Sequence, residues 1–269
     1  MSPERLGAEP YNDSFIAFFR SVVLLRELNK ELPQSIKGIV EKKEKVFQEK
    51  EKQLDKESKK QLAELANRIR KRLEGQKNSV IDSFDKYSKS VQELLSDLLR
   101  TAELSYSSTA LIGDMSLVYL VAAFENFLRD VLKITYVIKP EILSTSQKSI
   151  TYEELVRFKQ IDDALHHIIE KEASSVVNQN IEGINKYFTD KFKVNMAVYT
   201  NWKEFKERFY RRNIIIHNGG FTDRVYRSKT GYNGKDKRMY VSEEYLEKSF
   251  EIFEVVGFSV SEHFESKFT

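Results

Sequence analysis

From Gln34 to Glu74 the apolar residues Ile36, Val40, Phe47, Leu54, Leu62, Leu65, Ile69 and Leu73 recur mostly every seven, four or three positions, in a background dense in Lys and Glu. Only an α-helix brings residues at those spacings onto one side of the chain. A stripe this narrow cannot bury itself, so it predicts an antiparallel helical hairpin or a coiled coil. Forty helical residues would extend about 60 Å. Between Lys42 and Lys60 the sizeable apolar side chains are Val46, Phe47 and Leu54 alone. That stretch is therefore expected in solvent, supported by Glu–Lys pairs one turn apart. Its charges alternate in sign, which favours a solvated arm or dimerisation helix over an RNA-binding stalk.

The rest of the chain also reads as helix. Gly (10) and Pro (4) are scarce, which argues against a turn-rich all-β design, and 41% hydrophobic residues suffice for a core. A first helix is predicted from Asn12 to about Leu32, with Asn12, Asp13 or Ser14 as its cap and Pro33 as its stop. Gly75–Asn78 is read as a break, and helix resumes from Ser79 to about Leu111. Gly113-Asp114 is read as a second break, with Asp114 or Ser116 capping a helix over Leu117–Ile138. This is the most hydrophobic stretch of the chain, placed at the centre of the core and ended by Pro140. Thr151 opens a capping box with Glu154, starting a short helix that ends near Phe158. Helices follow over Gln160–Ser174 and Asn180–Asp190. Val194–Val198 reads as a loop or a short extended piece. Thr200 is expected to cap a helix carrying Trp202, Phe205, Phe209, Tyr210 and Ile214–Ile216. Val225–Val241 reads as a basic, Tyr-rich loop or small β-hairpin around Asn233-Gly234. Ser242 caps a final helix to Phe268. The expected domains are 1–111, an N-terminal helical region with its arm at about 34–75, and 112–269, a helical domain.

With 44 basic and 41 acidic residues the net charge is +3, so any nucleic-acid contact must come from local patches. There is no cysteine. Disulfides, thiolate zinc sites and a cysteine nucleophile are thereby excluded, and a reducing cytosol is the fitting compartment. Met1–Pro10 is polar, with Glu4 and Glu9, and is no signal peptide. No run approaches ~18 consecutive apolar residues, so no membrane span is expected, and the predicted location is cytoplasmic. His166 and His167 are adjacent and point about 100° apart, which does not suit a metal pair. Gly219-Gly220 lacks the Lys-Ser/Thr of a phosphate-cradling loop, so no nucleotide hydrolase is suggested. Neither a metal nor a cofactor is expected.

The chemistry concentrates in Arg212-Asn213-Ile214-Ile215-Ile216-His217, followed by Asn218-Gly219-Gly220. Arg holds phosphate with a forked pair of donors and stays charged, and His exchanges protons near neutrality. Together they suffice for metal-free RNA cleavage, where the ribose 2′-hydroxyl is the nucleophile. In a regular helix Arg212 and His217 point about 140° apart, so one copy cannot clamp a small group unaided. Either the helix ends at Ile216 and His217 swings round, or two copies pack about a two-fold axis. His217 is read as general base or acid, Arg212 as the phosphate ligand, and Asn213 as the group orienting one of them. Lys203, Arg208 and Arg211 are candidate phosphate contacts. Arg224, Arg227, Lys229, Lys235, Lys237 and Arg238, interleaved with Tyr226, Tyr232 and Tyr240, are candidates for holding and stacking single-stranded RNA.

An Arg, a polar residue, three more residues and a His, on a helix with a polar stop, resemble the signature of the HEPN superfamily. The helix Leu117–Leu128, with Glu125 embedded in it, is similar to that family's core helix, and the resemblance covers roughly Gly113–Thr269. It implies an all-α HEPN-like bundle, here with an N-terminal helical extension, that acts as a metal-independent endoribonuclease leaving a 2′,3′-cyclic phosphate. It also implies a homodimer through the motif helix and a setting in phage defence or a toxin–antitoxin system. Single-stranded or tRNA-like RNA would be the substrate, and an antitoxin or other defence protein a partner.

Each reading has a plainer counterpart. Arg212 and His217 can simply answer the dipole of a helix C-terminus. Asn213 can cap or face solvent, and the Tyr-basic stretch can be a solvated hairpin. Glu125 needs a partner if buried, and pairing with Arg129, Lys133 or Arg212 is favoured over acid–base work. The whole chain can be a non-catalytic RNA- or protein-binding scaffold assembled through its arm.

Overall fold

A computed structural model describes residues 7–73, 86–145 and 151–269. The fold is all-α. In chain order its helices are α1 (Pro10–Gln53), α2 (Lys56–Leu73), α3 (Lys89–Ile138), α4 (Tyr152–Leu155), α5 (Ile161–Val177), α6 (Ile181–Phe192), α7 (Trp202–Asn218), α8 (Arg224–Thr230) and α9 (Glu243–Phe268). Short 3₁₀ turns cover Pro140–Thr145 and Met196–Val198. Among the described residues the one β feature is an isolated antiparallel bridge between Phe221 and Arg238.

The chain divides into two compact units, one of 1–29 with 113–269 and one of 30–112. The first 29 residues thus belong with the C-terminal domain, not with the arm as the sequence division at 111 had them. The reason is burial. Tyr11, Phe18 and Val22 of α1 are buried in the same core as α3, α7 and α9.

In the first unit Phe124 of α3 is the hub. Its ring meets Phe253 of α9 edge-on at 5.0 Å, Phe205 of α7 at 5.6 Å and Phe18 of α1 at 5.6 Å. Such edge-to-face contacts are the preferred geometry for aromatic pairs. By length and composition α3 could cross a membrane, but half of the apolar window is buried inside the protein. Leu117, Leu120, Val121, Phe124 and Leu128 are all in the core.

In the second unit Val40, Leu65, Val91, Leu94 and Leu95 are buried. Most of Lys42–Gln53 is exposed, as the sparse stripe implies. Lys50 pairs with Asp97 at 2.7 Å. The break between α1 and α2 falls at Leu54-Asp55, where Asp55 caps α2 by accepting from the Ser58 backbone N–H at 2.8 Å. The predicted break at Gly75–Asn78 and the restart at Ser79 lie outside the described residues.

Two predicted breaks are absent. Pro33 sits inside α1. Proline's fixed φ is compatible with helix, and one lost ladder bond, about 3 kcal/mol, is outweighed when the turns on both sides propagate and pack. Gly113 and Asp114 likewise lie inside α3. Here the glycine serves close approach, since a Cβ at Gly113 would stand 2.5 Å from the Val241 carbonyl oxygen. Asp114 caps nothing and instead pairs with Arg238. The hairpin around Asn233-Gly234 is also absent, because Arg224–Thr230 winds into α8 behind an Asp223 cap. Two other helix starts match expectation. Thr151 and Glu154 form the reciprocal capping box, and Ser242 accepts from the Tyr245 N–H at 3.2 Å.

Gly113→Ala should cost about 1–3 kcal/mol in urea unfolding, since backbone rather than a flexible side chain must move. Gly38→Ala, also inside a helix but with nothing within 4 Å of the new Cβ, should instead stabilise by roughly 0.5–1 kcal/mol.

Candidate functional site

The site is built on α7. Asn201, not Thr200, caps it: its side chain accepts from the Glu204 N–H, while Asn201 Nδ2 donates to the Glu204 carboxylate. Phe205, Phe209 and Ile214 turn into the protein. The helix remains regular through Asn218 and stops at Gly219, whose φ of +57° is the left-handed cap conformation that glycine adopts without strain. The Gly220 N–H then donates back to the Ile214 carbonyl at 2.9 Å. The possibility that the helix ends at Ile216 is thereby removed, and within one chain Arg212 and His217 stay about 140° apart.

The three motif residues stand in different surroundings. Arg212 is half-buried and its guanidinium is ion-paired to Glu125 of α3. Burial pushes the Glu125 carboxyl up and Arg212 pulls it back. Of the three cations considered as partners for Glu125, the fold selects Arg212. Asn213 and His217 are exposed, and neither side chain makes a hydrogen bond with a described residue.

Arg208 and Arg211 are not available as phosphate contacts. Both are buried, and Glu207 lies between them. Arg211 donates through Nε to Glu207 at 2.9 Å and lies 4.8 Å from the Tyr245 ring centroid. Arg208 covers the same ring at 4.6 Å and donates to Ser249 and to the Glu204 carbonyl. The hydroxyls of Tyr226 and Tyr245 also donate to Glu207, each at 2.5 Å. Burial works against the charge on Arg211, but Glu207 and the two tyrosines hold its pKa above the usual value. Burial first, then Glu207, drives Tyr245 far above the ordinary tyrosine range.

The basic stretch after α7 is also partly spent. Arg227 is ion-paired to Asp236, and Arg238 reaches Asp114 at 3.2 Å while covering the Tyr240 ring. Tyr226 is buried, and Tyr232 packs against it at 6.1 Å beside Tyr210 and Ile214. These two rings therefore hold α8 onto α7 rather than standing free for bases. Lys203 and Arg224 remain exposed, as do Lys229, Lys235 and Lys237. Among the described residues no group of three or more His, Asp or Glu is arranged to hold a metal ion.

The residues missed in sequence are Glu207, Tyr245, Glu182 and Asp114. Glu207 was within reach, because it lies four positions before Arg211 on one helix face. Glu182, which accepts from the Tyr210 hydroxyl at 2.7 Å, and Asp114 carry no local signal.

Glu207→Gln should lower unfolding free energy by about 3–5 kcal/mol, the cost of leaving buried guanidinium charge uncompensated. Lys203→Ala, at an exposed position, should stay within roughly 0.5 kcal/mol of the parent in the same denaturant titration. Equal effects would mean that Glu207 is not the counter-charge described.

No protein-family model, no curated protein and no solved structure matches the chain.

Proposed function

We propose that this chain is a metal-independent endoribonuclease of HEPN type, working as a homodimer, with Arg212, Asn213 and His217 as its catalytic residues. One observation carries the reading. The last two turns of α7 expose the His217 and Asn213 side chains, which have no hydrogen-bond partner among the described residues, beside a half-buried Arg212, at a helix end fixed by Gly219.

Because α7 is helical past His217, one protomer cannot aim both groups at one phosphate. A second α7 across a two-fold axis can, since such an interface sets each motif against its own copy. In that cleft His217 takes the 2′-hydroxyl proton as O2′ attacks phosphorus. The P–O5′ bond breaks, and O5′ receives a proton from an imidazole. The products are a 2′,3′-cyclic phosphate and a 5′-hydroxyl. Arg212 stabilises the charge developing on the phosphate, exchanging or sharing its contact with Glu125. Asn213 orients the imidazole or the phosphate. Lys203, Arg224 and the exposed lysines after α8 follow the strand's backbone. Bacterial defence or a toxin–antitoxin system is the proposed setting, with an antitoxin or another defence protein as partner.

Purified protein should cut single-stranded RNA or tRNA in excess chelator and leave cyclic phosphate ends. His217→Ala should slow this by about 10²–10⁴-fold, and Arg212→Ala by about 10²–10³-fold. Cleavage at the parent rate by the His217 variant would reject the assignment.

The Arg212–Glu125 pair also supports a second reading, in which Arg212 is structural and the chain is a non-catalytic scaffold binding RNA or protein. Expression separates the two. A ribonuclease slows growth in a His217-dependent way, and a scaffold does not.

A further inference from the structure

We propose that a cavity between α1, α3 and α5 binds a small organic cation, a primary ammonium on a short apolar body. The cavity holds about 350 Å³, the volume of on the order of ten waters. Its floor is hydrocarbon, with Ile134 of α3 and Ile169 of α5 both buried. A short apolar body therefore has surface to cover, and a bare metal ion would not.

The polar groups select the charge. Lys133 and Glu170 pair at 2.5 Å and cancel one another. Asp130, on the same wall, has no hydrogen bond or ion pair with any described residue. The formal sum of these three groups is −1. Burial pushes the Asp130 carboxyl up, Lys133 and Arg129 draw it back, and Glu170 adds to the push. A cationic ligand relieves that cost, and an anion adds to it.

His166 also lines the cavity, and a further polar group there is independent of the acids. Ser14 of α1 lines the same cavity, and its Oγ is buried with no hydrogen-bond partner among the described residues. Buried polar atoms are normally paired, and one left open toward a cavity marks where a ligand's donor belongs. An ammonium has three donors, enough for both Asp130 and Ser14.

The test uses the full-length chain, isothermal titration calorimetry and two isosteric probes, phenethylamine and 2-phenylethanol. Phenethylamine should bind saturably, about tenfold or more tightly than the alcohol, as expected for a hydrogen bond to a charged group. Asp130→Asn should bring its affinity down to the alcohol's level, while Lys186→Ala, at an exposed position of α6 outside the cavity, leaves it unchanged. Ser14→Ala should weaken it several-fold, which gives a second readout should Asp130→Asn fail to fold. Absence of saturable binding at millimolar phenethylamine overturns the proposal, as does equal affinity for the two probes. None of these outcomes depends on whether the protein cuts RNA.

Discussion

The first unit is organised around a single ring. Phe124 touches aromatic side chains from α1, α7 and α9 at 5.0–6.3 Å, so three helices are registered against α3 at one point. Edge-to-face packing is directional as well as apolar, which fixes rotation of the helices as well as their separation. The next residue is Glu125, turned about 100° away from Phe124 on the same helix. With Phe124 seated in the core, Glu125 falls at the margin facing α7, where Arg212 meets it. The chemistry of the candidate site is therefore set by core packing one residue away.

A guanidinium cannot shed its charge to enter a protein interior, so each one drawn inward needs an acceptor. Arg211 and Arg208 share Glu207, Arg238 has Asp114, and Arg26 is held by Glu247 and Glu254. Aromatic faces contribute to several of these pairings, with Tyr245 under both Arg208 and Arg211 and Phe250 under Arg26. This sorting decides which cations remain for an outside anion. A run that reads as uniformly basic from Arg208 to Arg212 contains two buried structural arginines and one half-buried arginine at the helix margin. In the cavity beside α5 an acid is the group left without a direct contact: Asp130 makes no ion pair with a described residue.

Helix type and most helix starts were legible because they depend on neighbours in sequence. Thr151, Ser242 and Gly219 act through groups at most a few residues away. Pro33 and Gly113 misled because their local signals were real but minor. The turns around Pro33 propagate through a 44-residue helix, and Gly113 is demanded by Val241, more than a hundred residues distant. The stretch after α7 misled for a related reason. Asn233-Gly234 is a good turn signal, but Tyr226 gains more by burying its ring against Tyr210 and Ile214 and giving its hydroxyl to Glu207.

Sequence alone determined that the chain is helical and that a long, sparsely apolar segment stays largely in solvent. It also located the Arg–Asn–His run at a helix end that Gly219 terminates. Each of these follows from periodicity and from backbone groups satisfied within a turn. Tertiary structure alone decided that α3 runs unbroken, that Arg208 and Arg211 are interior, and that Arg212 faces Glu125 while His217 and Asn213 stay open. The Arg212–Glu125 pair, the approach of Val241 to Gly113 and the packing of Arg208 and Arg211 on Tyr245 join residues tens to more than a hundred positions apart, and no local pattern announces them.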